Sequence, residues 1–210
     1  MKITIASGKG GTGKTTLSVN LTTMMSQTHP EVDTVLTDLA VEEPNSGLFL
    51  HGETLEQQKA YRQVPEWLPQ RCTFCNVCRE VCKFNAIAVL PNQVLVFNEL
   101  CHSCHACVGL CPEEALKMKD HLMGELKHIR TEGLNFVEGE LKIGEQMAVP
   151  MIEKTLEYTQ QHFDKGALHI YDAPPGTSCP VIESVKETDY VVLVTEPTPF
   201  GLHDLKLSVE

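Results

Sequence analysis

Eight of the nine cysteines in this chain stand in two runs of identical spacing. The first is Cys72, Cys75, Cys78 and Cys82. The second is Cys101, Cys104, Cys107 and Cys111, with Pro112 following. Each reads C-x-x-C-x-x-C-x-x-x-C, a spacing that lets a tight loop turn three sulfurs toward one iron–sulfur cubane. Nothing at the N-terminus resembles a signal peptide, so a cytoplasmic setting is expected and disulfides are disfavoured. Zinc sites favour two C-x-x-C pairs with a longer gap, and leave the fourth cysteine of each run unexplained. A second chemistry lies in Gly8-Lys9-Gly10-Gly11-Thr12-Gly13-Lys14-Thr15-Thr16. Gly8, Gly13, Lys14 and Thr15 fit G-x-x-x-x-G-K-[ST], a loop whose backbone N–H groups cradle phosphates. Lys14 is expected to contact the β- and γ-phosphates, and Thr15 to coordinate Mg²⁺.

The elements around these residues follow from local pattern. Lys2 to Ala6 alternates and is β-branched, so it reads as a strand; Thr15 to Met25 reads as a helix. Thr34 to Asp38, Leu168 to Tyr171 and Tyr190 to Thr195 read as strands, the last two as buried parallel ones. A helix is expected over Met147 to Phe163 from Val149, Ile152, Leu156 and Phe163, and another from near Leu202. Gly52 to Pro69 reads as a polar connection. Ala86 to Phe97 reads as a hairpin turning at Pro91-Asn92. Gly124 to Arg130, Leu134 to Val137 and Glu140 to Ile143 read as short strands, with Glu138-Gly139 as a turn. Strands alternating with helices predict an α/β fold, a mostly parallel sheet flanked by helices. Met24 and Met25 are expected in the core, and Trp67 against the cysteine segment.

The doubled cysteine run resembles that of bacterial ferredoxins. In those two-cluster proteins the fourth cysteine of each run ligates the other cluster. The resemblance implies Cys72, Cys75, Cys78 and Cys111 for one [4Fe–4S] cluster, and Cys101, Cys104, Cys107 and Cys82 for the second. Lys83 replaces the closing proline in the first run, which leaves ligation intact. His102 and His105 lie inside the second run. With four cysteines available they are read as solvated loop residues, tuning of the cluster by a ring N–H being the alternative.

The form K-G-G-x-G-K-T, with Lys9 near its start, resembles the deviant Walker A family. That family includes MinD, ParA, the nitrogenase iron protein and the Mrp-type cluster carriers. The likeness extends through Thr37-Asp38-Leu39-Ala40-Val41-Glu42-Glu43-Pro44-Asn45 and Asp172-Ala173-Pro174-Pro175-Gly176-Thr177. It is nearest to the MinD/Mrp-type ATPases that carry a two-cluster ferredoxin insert. The resemblance implies a P-loop domain over residues 1–60 and 122–210 and a small α+β ferredoxin-like insert over 61–121. It implies that Lys9 reaches across an ATP sandwich to a partner's phosphates. Asp38 and Asp172 become the switch I and switch II aspartates, and Gly176 the glycine whose N–H meets the γ-phosphate. The loop residues Gly8, Gly10, Gly11, Thr12, Gly13, Lys14, Thr15 and Thr16 hold ATP, with Mg²⁺ at Thr15. Ala40 stands where many relatives have a second acidic residue, so hydrolysis is expected to be slow, to use Glu42 or Glu43, or to rely on Asp38 alone. Relatives continue with further strand–helix units and an adenine-contacting segment, so the chain is expected to be either a truncated product or a minimal version of the fold. Cys179 matches by offset a bridging-cluster ligand of the nitrogenase iron protein. It reads either as a small residue buried at a helix start or as a thiol at a dimer interface.

Length fits one α/β domain with a small insert. The net charge of −11 disfavours nucleic acid as a partner. No apolar stretch approaches a membrane span. The expected function is ATP-gated electron transfer or cluster handling by a nucleotide-dependent homodimer, acting on a redox or cluster-accepting protein. A non-hydrolysing carrier or scaffold is the alternative, as is a MinD/ParA-like positioning ATPase with structural clusters.

Overall fold

The computed structural model describes residues 1–131 and 133–209. By their contacts these form two units. The first comprises residues 1–60, 124–141 and 148–210, and the second residues 61–123 and 142–147.

The first unit is built on a sheet. Its strands are β1 (Lys2–Ala6), β2 (Thr34–Asp38), β7 (Leu134–Leu141), β8 (Leu168–Asp172) and β9 (Tyr190–Leu193). They lie in the order β7-β2-β8-β1-β9, and every pair is parallel. Two long strands, β3 (Glu53–Trp67) and β6 (Leu116–Thr131), extend the sheet beyond β7, and β6 runs antiparallel to β7. Both β3 and β6 cross from one unit into the other. Central β2 and β8 are buried along their whole length, as strands covered on both faces must be.

Helix α1 (Lys14–Thr28) packs on β1, β2 and β8. Its buried side is largely hydroxyl: Ser18, Thr22 and Ser26 lie beside Val19. Ser18 and Thr22 satisfy themselves on the carbonyls one turn back, at 3.0 and 2.7 Å. Small residues there bring the helix close to the sheet, while Ile5, Leu36, Phe136 and Ile170 supply the apolar core. Met25 packs at the edge of this core, but Met24 is 53% exposed, so it is not the core residue expected. Helix α4 (Ala148–His162) covers β7 and β2. It buries Ala148, Met151, Ile152, Thr155, Tyr158 and Thr159 at helical spacing. Helices α5 (Cys179–Val185) and α6 (Pro199–Val209) complete this unit.

The second unit holds the short helices α2 (Val77–Val81) and α3 (Ala106–Gly109), and the hairpin of β4 (Ile87–Leu90) and β5 (Gln93–Val96). Leu90 pairs with Gln93, so Pro91-Asn92 is the two-residue turn that was expected. Trp67 packs with Phe74 into a small core of Ile87, Val94, Cys107 and Leu116.

β9 lies at the sheet edge with Tyr190, Val191 and Val192 exposed, so it is not the buried strand expected. Two further local expectations fail, each for a tertiary reason. Gly52 to Pro69 is no loose connection, because β3 fills most of it. Its polar side chains are exposed at the sheet margin, where Gln57 bonds Glu125. Glu138-Gly139 is no turn either, since β7 runs through it opposite Lys127 and Leu126. Gly139 is needed because helix α4 lies on it. A Cβ there would collide with Thr155 Oγ1 and come within 3.1 Å of Met151 Cε and 3.3 Å of Val41 Cγ1. We predict that Gly139→Ala costs about 1–3 kcal/mol of stability by overpacking, measured by denaturant unfolding. Thr155→Ala introduced in the same chain recovers part of that loss.

Candidate functional site

The turn from β1 into α1 is shaped by glycine. Gly11 and Gly13 have φ of 78° and 94°, a region that costs other residues, and neither is crowded. Gly10, Gly11, Gly13, Lys14, Thr15 and Thr16 line one wall of a cleft of about 830 Å³. Leu39 to Glu43 line the cleft as well, as do Pro174 and Pro175, which follow β8. Lys14 is buried and donates from Nζ to Ser7 Oγ at 3.0 Å, while Ser7 donates to the Lys9 carbonyl at 2.6 Å. Burial lowers the Lys14 pKa, and the charge of Asp172 acts against that shift. Lys9 forms a half-exposed pair with Glu196, 2.7 Å from Nζ to Oε2.

Register brings the two predicted switch aspartates together. Asp38 and Asp172 are paired positions at the carboxyl ends of β2 and β8, and both are fully buried. Asp38 accepts three backbone N–H bonds, from Ala40 at 3.0 Å, Asn45 at 3.2 Å and Ser46 at 3.0 Å. The segment after β2 is therefore wrapped around its own carboxylate. Asp172 is less well served. Ser46 Oγ stands 3.4 Å from Oδ2, and Oδ1 has no partner. Burial pushes its pKa up to about 6; the Asp38 charge adds to the rise, while the Thr15 and Ser18 hydroxyls and Lys14 oppose it. An orphaned carboxylate oxygen beside the Thr15 hydroxyl is a fitting place for a hydrated divalent cation. Gly176 has φ of 110°, and its N–H is engaged by the Ser7 carbonyl at 3.0 Å. Ser7, Ser46 and Glu196 were not singled out from sequence. Ser7 adjoins the glycine loop and was within reach of the motif, whereas Glu196 carries no local signal. Ala40 lies at the cleft, and Glu42 and Glu43 are exposed on its rim. Cys179 opens α5 and is exposed, so it is not the buried packing residue that one reading expected.

In the second unit the two cysteine loops are copies. Phe74, Asn76 and Asn85 have positive φ, and Ser103, His105 and Glu114 repeat them 29 residues later. These are all the positive-φ residues other than glycine among the described residues. A left-handed backbone with a side chain is strained and persists only where its surroundings impose it. Here it curls each loop so that its sulfurs converge.

The copies exchange their last cysteine. One hollow is lined by Cys72, Cys75, Cys78 and Cys111, with Trp67, Phe74 and Val94. The other is lined by Cys82, Cys101, Cys104 and Cys107, with Phe84, Ile87 and Met118. Burial raises the Cys78 pKa, and the charges of Cys111, Cys72 and Cys75 add to the rise. Burial pushes Cys107 up to about 11, helped by Cys101, Cys104 and Cys82. Backbone N–H groups donate to sulfur from Ala86 to Cys82 at 3.3 Å and from Ala115 to Cys111 at 3.2 Å. Among the described residues no three metal-ligating side chains converge tightly enough for a single ion. Lone zinc would draw its ligands to about 2.0–2.3 Å of one centre. A cubane takes four thiolates at its corners, and four cysteines line each hollow. His102 and His105 are exposed, His102 stacking on Phe84 at 3.7 Å.

A parallel sheet, a glycine loop between β1 and α1 and aspartates ending the adjacent strands define a P-loop nucleotide-binding domain. The chain belongs to the CobQ/CobB/MinD/ParA nucleotide-binding domain family, whose model matches residues 3–197. Uncharacterized protein MJ0578 of Methanocaldococcus jannaschii is 31% identical over 214 residues, covering 100% of this chain and 72% of that protein. Uncharacterized protein MJ0579 of the same organism is 30% identical, covering 98% and 73%. The septum site-determining protein MinD of Pyrococcus horikoshii, solved with Mg-ADP, is similar in fold, with a TM-score of 0.53 at 17% identity. It is covered over 63% of its length, against 99% of this chain. The cell division ATPase MinD of Pyrococcus furiosus has a TM-score of 0.50 at 17% identity, with 99% and 65% covered. The chain thus spans less than two thirds of either solved protein. No described helix is long and apolar enough to cross a membrane.

The buried Asp172 predicts a pH dependence of the nucleotide-free protein. Its folded pKa lies above the ordinary carboxylate value, so the folded state holds the proton more tightly than the unfolded chain. Its contribution to stability is greatest below about pH 4 and is lost as pH rises through about 6. Asp172→Asn should remove that loss, raising stability at pH 7 by roughly 2–3 kcal/mol over wild type. Thermal melts of both proteins without nucleotide, between pH 5 and 7.5, check this.

Proposed function

We propose that the chain is a Mg-ATP-binding ATPase of the MinD/ParA kind whose second unit carries two [4Fe–4S] clusters. The observation that supports it most is the exchange of Cys82 and Cys111 between the duplicated loops, which completes two four-cysteine hollows. Cys72, Cys75, Cys78 and Cys111 would hold one cluster, and Cys101, Cys104, Cys107 and Cys82 the other. Bound there, the clusters supply one-electron chemistry.

In the first unit the loop amides from Gly10 to Thr16 bind phosphate oxygens. Lys14 leaves Ser7 to neutralise the β- and γ-phosphates, and Thr15 and Asp172 orient the hydrated Mg²⁺. Asp38 answers the γ-phosphate through the loop it holds. Rearrangement of that loop converts nucleotide occupancy into motion, as switch segments do. Lys9 exchanges Glu196 for the phosphates of a second copy, closing a dimer. With Ala40 in switch I, turnover is slow and falls to Asp38 or to Glu42 and Glu43 on the rim. The partner is a redox or cluster-accepting protein, and nucleic acid is disfavoured by the charge of −11.

The likeness to MinD favours a second reading, a positioning ATPase in which the clusters only stabilise the fold. The two differ in one measurement. If nucleotide and electrons are coupled, Mg-ATP shifts a cluster potential or drives cluster transfer; with structural clusters it does neither. Anaerobically prepared protein should contain about eight irons per chain and turn over ATP slowly. Zinc in place of iron would overturn the cluster assignment. Lys9→Ala should abolish ATP-dependent dimerisation in sedimentation, and undiminished association would remove the sandwich.

A further inference from the structure

The duplicated loops match in spacing and backbone but not in charge. Arg62, on β3, lies under the second loop and is 3% exposed in its side chain. It donates from Nη1 to the Cys101 carbonyl at 2.8 Å and from Nη2 to the Asn98 carbonyl at 2.7 Å. Nη2 also meets Glu145 Oε1 at 2.9 Å, and Glu145 is 4% exposed. The other Glu145 oxygen takes His121 Nε2 at 3.0 Å. All these residues belong to the second unit. The corresponding stretch of the first loop, Pro69 to Cys72, has no side-chain donor on its carbonyls among the described hydrogen bonds. Its nearest arginine, Arg71, is 58% exposed and faces Glu114 at 3.5 Å.

A buried ion pair is costly to assemble and adds little net stability over apolar packing. This one instead brings a permanent cation to the backbone of a cysteine in one quartet. The cation, not the carboxylate, touches that loop. Reduction adds negative charge to a cluster, and a nearby cation in a low-dielectric interior favours that charge.

We propose that Arg62, braced by Glu145, is a positioning residue that makes the two clusters unequal. The cluster of Cys101, Cys104, Cys107 and Cys82 has the higher potential and holds the electron at rest. The cluster of Cys72, Cys75, Cys78 and Cys111 is then the lower-potential member of the pair. This rests on the cluster assignment given above.

The test is an EPR-monitored redox titration of anaerobic full-length protein, with iron counted on the same sample. Cys104→Ser identifies the second cluster by its altered signal. Wild type should show two separate potentials. Arg62→Gln should weaken electron uptake by the second cluster about tenfold, which for one electron is about 59 mV more negative, and leave the first unchanged. Arg62→Lys keeps the charge and should restore most of the difference. Equal potentials in wild type, or an unmoved second cluster in Arg62→Gln with full iron, would overturn the inference while leaving the clusters in place. If Arg62→Gln loses half its iron, Glu145→Gln decides: a shift of the second cluster to more positive potential supports the proposal, and no shift overturns it. Wild type without iron would instead overturn the assignment beneath it.

Discussion

Two fully buried carboxylates, Asp38 and Asp172, end adjacent strands near a single buried ammonium, Lys14. Much of the first unit answers that imbalance. Parallel pairing of β2 with β8 sets the aspartates side by side. The segment after β2 folds back to give Asp38 three amide hydrogens, and Ser7 engages the lysine. Asp172 is left short, with one bare oxygen and a proton affinity well above the ordinary carboxylate range. A buried polar group without a partner is expensive, so the cleft gains when a cation and its anionic ligand enter together.

The second unit meets a different constraint. Its apolar core is small and the cysteines are part of it, Cys107 packing with Ile87, Val94 and Leu116. Six left-handed residues oppose folding in loops that bring sulfurs together. Thiols so placed resist ionisation, and Cys107 is the extreme case. Under the proposed cluster assignment, thiolate–metal bonds would relieve both strain and burial and would couple folding of this unit to metal uptake.

Much of this architecture was legible from the residues. β1 and β2 begin and end where alternation and β-branching said, because local propensity and tertiary role agree there. The glycine loop announced itself by a spacing that few other structures need. The hairpin turn at Pro91-Asn92 was readable for the same reason. What escaped was decided at a distance. Gly139 looked like a turn residue, yet it is a strand residue made small by the approach of Thr155. Of the apolar stripe expected on α4, Ile152 and Phe163 are buried but Val149 and Leu156 only half-buried, and Thr155 and Thr159, the latter bonded to Thr37 at 3.2 Å, share the buried face. β3 looked like a linker because sheet-margin strands may be polar on both faces. Glu196 and Arg62 carry no motif, and each matters only through a partner far along the chain.

The second unit is not a single stretch of sequence. Residues 142–147 belong to it as well as 61–123, so the chain passes between the units four times. Glu145, nearly sealed from solvent, is contributed by the shorter piece. Excising 61–123 as a cassette would therefore strand a hexapeptide whose one buried carboxylate, Glu145, is paired with Arg62. Transplanting that same cassette into another host would deliver an arginine without its counter-ion. A minimal first unit has to be joined in two places, and a minimal second unit in one.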